Sequence, residues 1–305
     1  MPDLLGPQGT EKMTTLFIGG FVISVFIGFL TGVFGVGGGF LMTPAMMIVL
    51  GVSGPTAVGT GLATILCTSS FGLFKRRGTG TIDVKVVLFM ALGSITGVWI
   101  GGRQLEHLKR LPPFIIHGHE VVAVQYVLLW VFLGILAWTA GFMLFDYRRK
   151  RHSGSQEQAV GLIAKISFPP YGHFASLAQP RLPIVPLVLL GLIVGMFTGL
   201  MGIGGGVILL PALIYLVGQP TAKAAGTSLL LVWISSLVAV YLNAKNGNIN
   251  LSLWLAMVAG GLIGTFWGTK IGLNVDGLKL RLYFVYVILI AIAMVAFKLF
   301  QLIMA

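Results

Sequence analysis

Long apolar runs alternate with short polar breaks along the whole of this chain. Eight runs, at about 13–33, 57–74, 84–102, 121–145, 183–203, 223–242, 251–272 and 282–303, have the length of a membrane crossing. The yardstick is a hydrocarbon core about 30 Å thick and a helix rising about 1.5 Å per residue. Polar breaks fall at 75–83, 103–120, 146–182, 243–250 and 273–281. Two further apolar pieces, 40–50 and 207–217, are only about 11 residues long, too short for a straight crossing. The pattern predicts an all-α polytopic membrane protein with about eight full spans and two short half-helices. The long break at 146–182 reads as a basic polar connector, with a short surface helix near Ala159–Ile166.

The short pieces lie beside glycine clusters, GVFGVGGGF at 32–40 and GLMGIGGGV at 199–207. Glycine costs a helix interior roughly 1 kcal/mol relative to alanine, so clusters of it need a reason. Shifting the sequence by 167 residues superimposes the two clusters. Gly37, Gly38 and Gly39 then meet Gly204, Gly205 and Gly206, and Pro44 meets Pro211. Gly59 and Thr60 meet Gly226 and Thr227, while Gly93, Gly97 and Gly101 meet Gly260, Gly264 and Gly268. The register runs ungapped for about 77 residues, about 22 of them identical. The chain therefore divides into an N-terminal tail (1–12), a first repeat (13–145), the connector (146–182) and a second repeat (183–305). Glycines spaced by four on one helix face suit close helix packing. Three consecutive glycines define no single face, and paired breaks in matching halves point to a transporter's binding site. Pro44 and Pro211 are expected to contribute to the helix break.

Composition agrees with the membrane reading. Of 305 residues, 56% are hydrophobic and 9% are charged, against about 25% charged in a typical soluble domain. The formal charge is +12, concentrated in short clusters such as Lys75-Arg76-Arg77 and Arg148-Arg149-Lys150-Arg151. Between apolar runs these read as cytoplasmic loops facing anionic headgroups, not as a nucleic-acid surface. The single Cys67 excludes a disulfide framework and a zinc pattern. The polar N-terminus lacks a basic region and a cleavage site, so the first run reads as a retained span. Parallel and inverted repeats both place those two clusters inside. Inversion also places Lys223, Lys270, Lys279 and Arg281 inside, so the positive-inside rule leans towards inverted repeats.

The acidic residues and histidines all fall outside the predicted spans. Proton pumps, intramembrane proteases and metalloenzymes need ionisable residues at depth, so no catalytic residue, cofactor or metal site is assigned. His117-Gly118-His119-Glu120 has poor spacing for a metal and reads as a solvated loop. Backbone amides and hydroxyls remain at depth. Glycines expose N–H groups, and a helix starting beside them aims its positive dipole end at a bound group. Such a site suits a small anion. The substrate-binding candidates are Gly37, Gly38, Gly39, Gly59, Thr60, Gly204, Gly205, Gly206, Gly226, Thr227 and Ser228. The other partner is the lipid bilayer of a bacterial or archaeal inner membrane, and the sequence leaves a homo-oligomer open.

These features resemble the sulfite exporter TauE/SafE family. The resemblance rests on TGVFGVGGGFLMTP at 31–44 and TGLMGIGGGVILLP at 198–211, with AVGTGLAT at 57–64 and AAGTSLLL at 224–231. It covers nearly the whole chain except the N-terminus and the connector. It implies a secondary transporter exporting sulfite or an organosulfonate-type anion by alternating access, with the matched Gly, Pro and Thr positions implicated. An anion channel is the alternative of the same class, and a membrane-embedded enzyme the alternative of another.

Overall fold

A computed structural model describes residues 7–116, 119–153, 161–165, 169–174, 177 and 180–304. The first half of the chain runs through α1 (Pro7–Phe34), α2 (Gly39–Ile48), α3 (Gly54–Arg76), α4 (Val84–Lys109) and α5 (Ala123–Ser153). The second runs through α6 (Ile184–Met201), α7 (Gly206–Pro211), α8 (Thr221–Lys245), α9 (Leu251–Gly272) and α10 (Gly277–Met304). Among the described residues eight helices are long and apolar enough to cross a membrane, and α2 and the piece Gly206–Val217 are the two shorter apolar helices. Large apolar side chains such as Val22, Phe26, Leu88, Trp138 and Phe297 face outwards. An exposed apolar surface of that extent marks contact with lipid. The protein is a multi-pass, all-α membrane protein.

Local chemistry fixes the helix starts in matching ways. Asp83 caps α4 by accepting from the N–H groups of Lys85 (3.1 Å) and Val86 (3.2 Å). Asn250, 167 residues on, caps α9 by accepting from Leu253 N–H at 3.1 Å. Pro55 stands in the first turn of α3, where its missing N–H costs nothing.

The glycine ladders join helices of opposite repeats. Gly93, Gly97 and Gly101 of α4 lie against the backbone of Val188, Leu192 and Met196 of α6. In turn, Gly191, Gly195 and Gly199 of α6 lie against Met90, Ser94 and Val98 of α4. On the other side Gly260, Gly264, Gly268 and Gly272 of α9 lie against Phe21, Val25, Phe29 and Val33 of α1. A Cβ at any of these ladder positions would strike main-chain atoms of the facing helix, so only glycine allows the approach. The expectation of packing for these stripes holds. Residue numbers rise together along each contact, so α1 runs the same way as α9, and α4 the same way as α6.

Helices α3 and α8 occupy the middle. Gly72 packs on Leu229, and Trp233 donates to Ser70 Oγ at 2.8 Å. Ile65 and Val232 flank the same break glycines. Higher numbers on α3 meet lower numbers on α8, so this pair is antiparallel. Helix α3 runs with α9, since Thr60 meets Asn250, Thr68 meets Gly261 and Gly72 meets Thr265. Helix α10 leans on α5 and sends Phe284 inwards to Phe34 and Phe40, at ring distances of 5.2 and 5.8 Å.

The polar segments are more structured than their composition suggested. Helix α5 continues to Ser153, so the basic cluster at Arg148–Arg151 is helical rather than part of a loop. The connector helix expected near Ala159–Ile166 is a single 3-10 turn at Leu162–Lys165 where it is described. A hairpin, β3 (Tyr171–His173) with β4 (Arg181–Pro183), follows. Buried Phe174 packs its ring edge on Phe89 at 5.9 Å, and Gly161 abuts the backbone of Leu216 and Val217. The apolar side chains at 163, 174 and 182 carry this tie, so the connector is partly built into the body. In the break at 103–120, Phe114–Ile116 pairs with His119–Val121 as a hairpin, while His117 and Gly118 lie outside the described residues.

Candidate functional site

Each break consists of three glycines in left-handed conformation at matching positions. Gly35, Gly37 and Gly38 have φ of 66°, 77° and 68°, and Gly202, Gly204 and Gly205 have 70°, 67° and 73°. A side chain at any of them would be strained. Pro44 and Pro211 are therefore not the breaks. Pro44 lies inside α2, which continues to Ile48. Pro211 has φ −64°, an ordinary helical value, and marks the change from α7 to a π-helical stretch, Ala212–Val217. Proline's fixed φ fits a helix, so both prolines are carried within the short segments.

The two breaks cross. Gly206 lies against the carbonyl of Val36, and Gly39 against that of Ile203. Both Gly37 and Gly204 face Ile65 and Val232, halfway along α3 and α8. Gly38 backs onto Ile27 and Thr31, while Gly205 backs onto the equivalent Val194 and Thr198. The hydroxyls of Thr31 and Thr198 are occupied by their own helices, donating to Ile27 O and Val194 O at 2.9 Å each. Residues 33–47 and 201–215 are all buried, so the crossing is closed to both surfaces.

The short helices begin at this crossing. In α2 the N–H groups of Leu41 and Met42 turn back to Gly38 O, both at 3.1 Å. In α7 those of Ile208 and Leu209 turn back to Gly205 O, at 3.1 and 2.9 Å. The N–H groups of Gly39, Phe40, Gly206 and Val207 precede the first possible intrahelical rung. Ser228 joins the same place by donating to Gly35 O at 2.6 Å, and Thr43 donates to Gly202 O at 3.4 Å.

The Gly-Thr pairs lie elsewhere. Gly59 abuts the backbone of Asn248, and Thr60 Oγ1 accepts from Asn250 N–H at 3.0 Å. Gly226 abuts the backbone of Thr81, and Thr227 Oγ1 accepts from Asp83 N–H at 3.1 Å. Each pair clamps the loop that leads into the next glycine-ladder helix. Each hydroxyl oxygen accepts a hydrogen bond at that joint.

One residue near the crossing was missed. Arg76 reads from sequence as part of a solvated basic loop, yet it ends α3 and is 2% exposed. Its Nη2 donates to Gly32 O at 2.9 Å, in the last turn of α1 before the break. The signal was its place at the end of an apolar run, one helical turn after buried Gly72. Elsewhere, a surface hollow of about 510 Å³ lined by Trp99, Arg103, Gln104 and His107 lies along α4, apart from the crossing. Among the described residues no group of three or more His, Cys, Asp or Glu is placed to hold a metal.

Comparison with known proteins agrees with this architecture. The family model described as Sulfite exporter TauE/SafE matches residues 20–295. The chain is 28% identical to "Probable membrane transporter protein YjnA" of Bacillus subtilis (strain 168), over 88% of this chain and 96% of that protein. It is 25% identical to a "Probable membrane transporter protein" of Xylella fastidiosa (strain 9a5c), over 88% and 89%. It is 23% identical to "Probable membrane transporter protein MJ0441" of Methanocaldococcus jannaschii, over 84% of each chain. No solved structure matches the chain. With the match spanning both glycine breaks and running from within α1 to within α10, the chain belongs to the sulfite exporter TauE/SafE family.

Proposed function

We propose that this protein is a secondary transporter that exports a small sulfur-containing oxyanion, sulfite or an organosulfonate-type anion, by alternating access around the crossed glycine breaks. The observation that carries the reading is the pair of left-handed glycine breaks meeting backbone to backbone halfway along α3 and α8. At that depth there is no water to satisfy a bare N–H, so irregular backbone belongs where it is buried or lines a path. The N–H groups at the starts of α2 and α7 supply donors for an anion without a protein counter-charge, and Ser228 holds the first break in place through Gly35 O.

The halves work as inverted repeats in this reading. The opposed course of α3 and α8, with α3 parallel to α9 and α4 parallel to α6, supports it. In that arrangement Lys75, Arg77, Lys223, Lys270 and Lys279 share one end, which the positive-inside rule assigns to the cytoplasm. An inside-negative potential then drives an anion outwards by about 2.3 kcal/mol per charge per 100 mV, so export needs no carboxylate relay.

The test is thermal stabilisation of purified protein by sulfite, thiosulfate, sulfoacetate and chloride, since a ligand of the folded state raises its apparent stability. One sulfur anion should stabilise the wild type, and Gly38→Ala and Gly205→Ala should remain folded with a weakened response. Variants that respond as the wild type does would make the break glycines packing devices only.

A further inference from the structure

We propose that Arg76 and Thr269 form an oxyanion-binding site on the cytoplasmic flank of the first glycine break, where the anion is held on its way to the crossing. The proposal rests on the transport reading above and adds to it a charged station that the glycine breaks lack.

Arg76 is a cation held out of solvent without a counter-ion. Its side chain is 2% exposed, and no carboxylate pairs with it among the described residues. Nη2 reaches Gly32 O, but Nε is buried with no partner. Thr269 on α9 is 1% exposed, and its Oγ1 is likewise buried with no partner. These two unused groups belong together. Helices α3 and α9 run in step, with Thr68 on Gly261 and Gly72 on Thr265, which brings Arg76 level with Thr269 one turn later. Gly32, the acceptor of Arg76, packs against the backbone N of Thr269. Both groups therefore flank the last turn of α1, three residues before Gly35.

A desolvated guanidinium and an unbonded buried hydroxyl are each costly. A bound anion would complete both. The planar fork of arginine matches two oxygens of one oxyanion, and the threonine hydroxyl can donate to a third. A spherical halide gains less from that geometry.

The second half has no equivalent. Arg76 aligns with Asn243, whose Oδ1 accepts from Asn248 Nδ2 at 3.0 Å. Asn248 is joined in turn to Glu106 at 2.9 Å and Lys109 at 2.7 Å, so that end is satisfied internally. Thr269 aligns with Gly102, which has no side chain. The bare cation thus stands at one end only, the end shared with Lys75, Arg77 and Lys270. A purely structural account has Arg76 capping the carbonyls of α1. That account uses Nη2 and leaves Nε and the Thr269 hydroxyl without a purpose.

The test titrates purified wild type, Thr269→Val and Arg76→Lys with sodium sulfite, sodium sulfate and sodium chloride, reading thermal stabilisation. Sulfite should stabilise the wild type saturably and chloride should not. Thr269→Val keeps the side-chain shape and loses an unpartnered hydroxyl, so without anion it should unfold at no lower temperature than wild type. It should nevertheless need about tenfold or more sulfite for the half-maximal response, the scale of one hydrogen bond to a charged group. Arg76→Lys keeps the charge, loses the fork, and should weaken the response by a similar factor. If the wild type responds and both variants respond at wild-type concentrations, Arg76 is only a cap and the proposal is wrong, while the transport reading stands. Equal responses to sulfite and chloride overturn the oxyanion class. A wild type that responds to none of the three salts removes the anion reading and this site with it.

Discussion

Gly206 lies against the carbonyl of Val36 with no room for a side chain between them. The symmetric contact of Gly39 with Ile203 makes the crossing a joint of backbone on backbone. Gly206→Ala would drive a methyl group into main-chain atoms that have no rotamer to change. It should therefore cost several kcal/mol, on the order of the largest single-residue effects. Gly134→Ala, in α5 with open space around it, should be neutral or stabilise by about 0.5–1 kcal/mol. Thermal unfolding of both variants in one detergent checks the contrast.

The clamps formed by Thr60 and Thr227 should behave as structure, not as binding site. Removing either hydroxyl takes away the acceptor of a backbone N–H, the part-buried one of Asn250 or the buried one of Asp83. Thr60→Val and Thr227→Val should each lower stability by about 1–3 kcal/mol. Their half-maximal sulfite concentration should stay within about twofold of wild type, a difference of under 0.5 kcal/mol. A large affinity loss at unchanged stability would return these threonines to the binding site.

The direction of the two halves is open to a labelling experiment. Gly78 lies between α3 and α4, Gly247 lies between α8 and α9, and each has open space where a side chain would project. In a Cys67→Ser background, Gly78→Cys should react with a membrane-impermeant maleimide only from the cytoplasmic side. Gly247→Cys should react only from the opposite side. Labelling of both from one side would contradict inverted halves.

The apolar spans, the duplication and the glycine ladders were legible in the sequence because each is written as a period. Lipid demands about 20 apolar residues per crossing, and close helix contact demands glycine every fourth position. What escaped has its partner far away in the chain. Thr60 and Thr227 recur in both halves, which suggested a site. Their meaning depends on acceptor geometry with residues 190 and 144 positions distant. Arg76 lies between Lys75 and Arg77, so its neighbours disguised it as part of a loop. Only the alignment of α3 with α1 and α9 shows the side chain turned inwards. Pro44 looked like a breaker because proline usually is one, but left-handed glycines upstream had already made the turn.

The measurement that bears most directly on the central claim is sulfite counterflow in proteoliposomes. Vesicles preloaded with unlabelled sulfite are diluted into a trace of labelled sulfite. An alternating-access carrier should accumulate label transiently above equilibrium, with a rate that saturates in sulfite and falls in Arg76→Lys. Flux that stays linear with the gradient, with no transient accumulation, would indicate a channel, and no sulfite movement beyond empty vesicles would contradict the account.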